Sequence, residues 1–286
     1  MIENKDCLDY LKTLEDNSVD LVVTDPPYFI GFDGGKGWDK QWEDEFAYLS
    51  WCAAWSHECV RVLKPNRMFI VWGTLKTETF LKYKIQTSMN SRLTPQNEII
   101  WAYNWGGRAK TNFARKHEYA WCWSTGEDFL FNADDVRVER KVKKNMNLEK
   151  KLLAEYKSNN PDATREEIAA HKAEYIDPQT AFAKGTIPTC IWEKNNHTTS
   201  KDYCGWHPTT KNLEVMERII RAYSNPGDTV LDIFMGSGST AIAAKRAGRN
   251  YIGCERDTEY YAKSIERIGQ LGVTVVKPPT HHPLFP

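Results

Sequence analysis

The run VLDIFMGSGSTAIAAKRAGRNYIGCE, Val230 to Glu255, decides the fold. It opens as a short apolar strand, breaks at a glycine-rich turn, restarts on small residues that suit a helix, and returns to a second strand closing on Glu255. Gly236, Ser237 and Gly238 form the turn, where the two glycines let the backbone approach a ligand closely. The helix then begins with Ser239 and Thr240, whose amides and hydroxyls can face a bound group. That pattern predicts a cofactor cradle in a doubly wound α/β fold. A carboxylate about twenty residues after the glycines, at the end of the second strand, is where such a fold holds the two hydroxyls of a ribose. Glu255 takes that place, and Asp232, closing the first strand, is set to orient an ammonium group. GSGST lacks the third glycine of G-x-G-x-x-G, and the chain has no G-x-x-x-x-G-K-[ST], which disfavours a dinucleotide or a triphosphate. Taken alone, the turn reads equally well as a tight structural turn.

Moving outward, the alternation of strand and helix continues on both sides. A helix from about Leu213 to Tyr223 precedes the turn, and another from Thr258 to Gly269 follows it. Far upstream, VDLVVT (Val19 to Thr24) reads as a buried parallel strand ending at Asp25. It is followed by an amphipathic stretch from Glu45 to Leu63, a strand RMFIVWG (Arg67 to Gly73) and a helix starting near Lys76. NEIIWAY (Asn97 to Tyr103) and EYAWCW (Glu118 to Trp123) have strand composition. The loop between them carries Arg108, Lys110, Arg115 and Lys116 without one acid. After Val138 the chain becomes highly charged and helical in propensity, with Asp162 or Thr164 able to cap a second helix. This insertion reads as a solvated helical hairpin in preference to a base-reading element. The tail 274–286 reads as loose.

The chain has 286 residues, enough for one large domain carrying an insertion, and 38 basic against 38 acidic side chains. A polyanionic partner must therefore be held by a local basic patch. No run approaches the ~18 apolar residues of a membrane helix and the start shows no leader pattern, so a cytoplasmic protein is expected. Seven cysteines without any C-x-x-C pair make neither a disulfide framework nor a zinc ribbon, and His197, Cys204 and His207 lack the spacing of a metal site. No metal is expected.

Asp25-Pro26-Pro27-Tyr28 follows a buried strand directly and so belongs to the carboxyl edge of the sheet, where open α/β folds place ligands. The prolines stiffen the chain and remove two amide donors, which leaves carbonyl oxygens free to accept. An acid, a fixed carbonyl and an aromatic ring suit a planar heterocycle bearing an exocyclic amino group.

Together, TDPPY (Thr24 to Tyr28) and LDIFMGSGST (Leu231 to Thr240), with HPTTKN (His207 to Asn212) and NKDCLDYL (Asn4 to Leu11), resemble the beta group of S-adenosylmethionine-dependent DNA amino-methyltransferases. The resemblance spans roughly residues 1–130 and 185–270. It implies a Rossmann-like doubly wound, mostly parallel sheet with one antiparallel strand. It also implies a catalytic part at 1–103, a basic loop, hairpin strand and target-recognition insertion at 104–196, and a cofactor-binding part at 197–273. Asp232, Phe234, Gly236, Ser237, Gly238, Ser239 and Thr240 would line the methionine half of S-adenosylmethionine. Glu255 would hold its ribose, and Asp6 with Cys7 would lie against its adenine. His207, Pro208, Thr210 and Lys211 would close the methionine end, although Thr210 and Asn212 stand where the family usually has glutamine and proline.

Asp25 and the Pro26 carbonyl would grip the amino hydrogens, and Tyr28 would stack the target base after it is rotated out of the duplex. Adenine N6 is the favoured target, because aspartate opens the element, and cytosine N4 is the alternative. Carbon-5 methylation would need a Pro-Cys nucleophile that the chain lacks. A non-catalytic cofactor- or DNA-binding regulatory module and an RNA or protein-amide methyltransferase are the readings of other classes. Double-stranded DNA is the implied partner, held by Arg108, Lys110, Arg115 and Lys116. A homodimer and a cognate restriction endonuclease, in a bacterial or phage setting, are further implications of the resemblance.

Overall fold

The structure is a computed structural model that describes residues 1–32, 34–74, 82–85, 87, 93–103, 111, 113–138, 146–172, 187–194 and 202–270. Compactness divides the chain into Met1–Asp135 with Thr189–Pro286, and Val136–Pro188.

The larger unit is built on one eight-stranded sheet in the order β1-β8-β7-β2-β3-β5-β4-β6. Its strands are β1 (Ile2–Asn4), β2 (Val19–Thr24), β3 (Leu63–Gly73), β4 (Thr94–Ala102), β5 (His117–Ser124), β6 (Ile191–Glu193), β7 (Thr229–Asp232) and β8 (Asn250–Glu255). Only β5 runs antiparallel to its neighbours, pairing with β3 and β4, while every other pairing is parallel. All six residues of β2 are buried, as a strand covered on both faces by helices requires. Asp20 is its one charged residue, and its carboxylate ties the amino ends of three strands by accepting from Lys64 (2.8 Å), from the Thr229 amide (3.0 Å) and from Arg67 (3.2 Å).

The helices of this unit are α1 (Cys7–Leu11), α2 (Glu45–Val62), α5 (Leu213–Tyr223), α6 (Ser239–Arg246) and α7 (Thr258–Gln270). α2 starts where the Asp44 carboxylate accepts from the Ala47 amide at 2.8 Å. It buries Tyr48, Cys52, Trp55, Cys59 and Val62, a helical stripe packed with Phe69, Trp121 and Trp123 in one core. Asn212 caps α5 through the amides of Glu214 and Val215. β2 passes through α2 to β3 on one side, whereas β7 passes through α6 to β8 on the other. The strand order therefore reverses between β2 and β7, and a crevice opens there at the carboxyl ends of the strands.

In the smaller unit, α3 (Met146–Asn159) and α4 (Arg165–His171) form the charged pair. Thr164 caps α4 in a reciprocal box with Glu167, and Tyr156 stacks on His171 at 3.7 Å. Residues 82–85 and 87 of the helix expected from Lys76 are helical, and the rest of it, like Arg108, Lys110, His197 and the tail 274–286, lies outside the described residues. Among the described residues no helix is long and apolar enough to cross a membrane. The strands at 2–4 and 191–193 were not expected, because three residues carry no periodic signal and exist only by pairing with β8 and β4.

Candidate active site at the carboxyl edge of the sheet

The crevice between β2 and β7 holds a cavity of about 350 Å³. Asp25, Pro26, Pro27 and Tyr28 line it from β2, and Asp232, Phe234, Gly236, Ser237, Ser239, Thr240 and Glu255 line it from the glycine turn and β8. Asp6, Cys7, His207 and Lys211 also reach it. Beyond the strand pairing, the two halves are linked by a buried side-chain hydrogen bond, in which the Thr24 hydroxyl donates to Asp232 Oδ1 at 2.9 Å.

On the β2 side the Asp25 carboxylate accepts from the Tyr28 hydroxyl and, at 2.6 Å, from Lys211 Nζ. The same ammonium lies 3.0 Å from Glu118 Oε2 and 3.2 Å from the Tyr28 hydroxyl oxygen. Burial pushes the Asp25 carboxyl up, and Lys211 and Tyr28 draw it back. Burial acts against the Lys211 charge, yet Asp25 and Glu118 outweigh it and raise that pKa. The Tyr28 phenol is driven well above its ordinary value by burial and by the negative charge of Asp25. Pro27 is held from behind, its carbonyl accepting from the Tyr48 hydroxyl at 2.8 Å. The following loop is shaped by Asp39, only 1 % exposed, whose carboxylate accepts the amides of Phe29, Ile30, Gly31 and Phe32 at 2.6 to 3.2 Å.

On the β7 side the Asp232 carboxylate accepts from Thr240 Oγ1 at 2.5 Å and from the Phe234 amide at 3.0 Å. Burial raises its pKa to about 6, against the pull of those donors and of Thr24. Gly236 turns at φ 50°, and a Cβ there would lie 2.8 Å from His207 Nε2. Gly238 starts α6 at φ 79°, and a Cβ there would press on Ile268 at 3.2 Å. Glu255 accepts the Gly236 amide at 2.8 Å and the Asp257 amide at 2.8 Å, and burial raises its pKa. Each of its oxygens keeps a lone pair for a further donor. The Asn4 side chain donates to the Glu255 carbonyl at 2.8 Å, which brings Asp6 and Cys7 alongside, and Asp6 caps α1 through the Leu8 amide at 2.9 Å. Ser239 Oγ donates to the Lys211 carbonyl at 3.2 Å, so the 207–212 segment is fastened to the glycine turn.

Three of the sequence-derived residues stand behind the cavity wall. The Thr210 hydroxyl donates to the His207 carbonyl at 3.2 Å and meets Cys204 Sγ at 3.0 Å. Pro208 packs against Gly34, and Gly238 supports α6. Arg115 and Lys116 are exposed immediately before β5. Sequence reasoning missed Glu118, Asp39, Trp38 and Tyr260, the last three of which also line the cavity. The glycine-rich stretch GFDGGKGWD at 31–39 was the one available signal for Trp38 and Asp39. Cys7, Cys52, Cys59, Cys122 and Cys254 are buried and unbridged, and burial pushes the Cys52 thiol up to about 12. None of the five is poised as a thiolate.

The family described as DNA methylase, of the N6/N4 type, matches residues 19–266. The chain is 30% identical over 280 residues to Type II methyltransferase M1.MboII of Moraxella bovis, covering 95% of this chain and 97% of that protein. It is 29% identical over 267 residues to DNA adenine methyltransferase YhdJ of Escherichia coli strain K12, covering 92% and 80%. Among solved structures, the M1.HpyAVI-SAM complex matches with a TM-score of 0.55 and 21% identity, covering 93% of this chain and 98% of that one.

Proposed function

Because the chain belongs to the N6/N4 family of DNA methylases, we propose that it transfers a methyl group from S-adenosylmethionine to the N6 amino group of adenine in DNA, after base flipping and by direct in-line attack. The observation that carries this reading is the single cavity lined both by Asp25 to Tyr28 and by the glycine turn.

The donor set fits the cofactor. Asp232 offers a buried carboxylate to an ammonium, Glu255 offers lone pairs to ribose hydroxyls, and the missing side chain at Gly236 leaves a cradle that a Cβ would fill. When bound, S-adenosylmethionine supplies an electrophilic methyl group on a sulfonium. Asp25 and the Pro26 carbonyl accept the amino hydrogens of the target, which favours the pyramidal nitrogen with its lone pair free to attack. As the new N–C bond forms, that nitrogen becomes cationic, and the Asp25 carboxylate balances the charge until the extra proton leaves. Tyr28 stacks on the ring. Arg115 and Lys116, with Arg108 and Lys110, would hold backbone phosphates. A type II restriction-modification setting with a partner endonuclease belongs to the same proposal, M1.MboII being named a type II methyltransferase.

Adenine is favoured by the aspartate that opens the element and by the name of YhdJ. Digesting DNA methylated by the protein to nucleosides should yield N6-methyladenine nucleoside. N4-methylcytosine would move the reading to the other branch of the family, and unmodified DNA would end it.

Cofactor affinity should depend on pH through Asp232. Its pKa, raised to about 6, leaves it ionised at pH 7 and protonated at pH 5, so affinity should weaken about tenfold between them. Stability linked to the same group has the opposite sign, being fully present below the unfolded value of 3.8 and lost as pH rises through about 6. Calorimetric titration of the cofactor across that range checks the sign, and a flat profile would remove Asp232 from the ammonium site.

A further inference from the structure

Resting on the methyl-transfer reading, we infer that Glu118 is a positioning residue for the reaction: it gives the Lys211 ammonium a second anchor, which frees Asp25 for the target amine. The Lys211 side chain is only 6% exposed, and its ammonium faces Asp25 Oδ2 at 2.6 Å, Glu118 Oε2 at 3.0 Å and the Tyr28 hydroxyl at 3.2 Å. The contacts to Asp25 and Tyr28 are hydrogen bonds and the one to Glu118 is a close ion pair, so without substrate the Asp25 carboxylate is engaged by Lys211 and Tyr28. An incoming amino group has to share or displace that contact.

Were Asp25 the sole acid, the buried ammonium would lose its only charged partner at that moment, which is costly at low dielectric. With Glu118 in place the ammonium stays paired while Asp25 turns to the substrate. Two carboxylates and one ammonium also leave the cluster with a net charge of −1. That charge faces a nitrogen whose positive charge grows as the N–C bond forms and the C–S bond breaks, with the sulfur keeping the electron pair and the extra proton passing from nitrogen to solvent water.

The placement of Glu118 is a consequence of topology. Because β5 runs against its neighbours, its first residues lie at the carboxyl edge, with Tyr119 opposite Gly73 of β3 and Glu118 opposite Trp101 of β4. A strand running the other way would present its last residues there instead. The Trp72 ring, 5.3 Å from Lys211 Nζ, and the Tyr28 ring, 5.5 Å from it, wall the ammonium in.

The test is steady-state methylation of duplex DNA by Glu118→Gln and Glu118→Asp, with cofactor affinity and thermal melting measured on the same samples. Loss of one charge-assisted contact predicts a kcat for Glu118→Gln lower by about ten- to a hundredfold, at unchanged cofactor Kd and DNA KM. Glu118→Asp, which restores the charge, should regain most of the rate. Parent-level kcat in Glu118→Gln overturns the inference, and so does a rate loss matched by loss of folding or of cofactor binding. Failure of the parent chain to methylate any DNA would instead reject the methyl-transfer reading itself, and the positioning role with it.

Discussion

An Asp25→Ala variant should methylate DNA roughly 100- to 1000-fold more slowly than the parent, the scale seen when one preorganised polar group facing developing charge is removed. The alanine withdraws the acceptor of the target amine and leaves Tyr28 and Lys211 without their shared carboxylate. Cofactor affinity should hold, because Asp232 keeps Thr24, Phe234 and Thr240 as its own donors. Initial rates with labelled cofactor, alongside equilibrium binding of cofactor and DNA, separate the two effects. Parent-level turnover in Asp25→Ala would remove the carboxylate from the mechanism.

The second large effect is expected at a residue that touches no substrate. Gly253, in β8, lies opposite Asp232 of β7, and a Cβ there would fall 1.9 Å from the Asp232 carbonyl oxygen and 2.7 Å from Met235 Cε. The backbone leaving β7 crosses over this point on its way to the glycine turn, held by the Met235 amide donating to the Cys254 carbonyl at 3.0 Å. Relief requires moving main chain. Gly253→Ala should therefore cost about 3 kcal/mol or more, a fall in melting temperature of the order of 6–10 °C, and should weaken cofactor binding as well. Thermal melting and cofactor titration of that variant check both. An alanine that melts with the parent would show that the crossing can widen without penalty.

Much of this was legible in the residues because the signals were local. VDLVVT announces a strand buried on both faces, and the glycine turn between two apolar strands, by itself equally a tight structural turn, reads as a cradle once the Asp25 to Tyr28 element is set beside it. Asp25, Asp232 and Glu255 could be picked out because each ends a strand or directly follows one, which places it at the carboxyl edge. Glu118 and Asp39 could not. Glu118 begins a strand, and it becomes part of the site only because that strand is antiparallel. Asp39 resembles any loop acid until four amides are found converging on it. The 2–4 strand was invisible for a similar reason, since its only support is a partner some 250 residues away.

The hydrogen bond between Thr24 and Asp232 spans 208 residues of chain. During translation the Asp25 to Tyr28 segment emerges long before the glycine turn, and until β7 arrives one edge of β2 has no neighbour. A nascent polypeptide therefore carries an unpaired strand edge, with its N–H and C=O groups open to wrong partners, until β7 has emerged and docked.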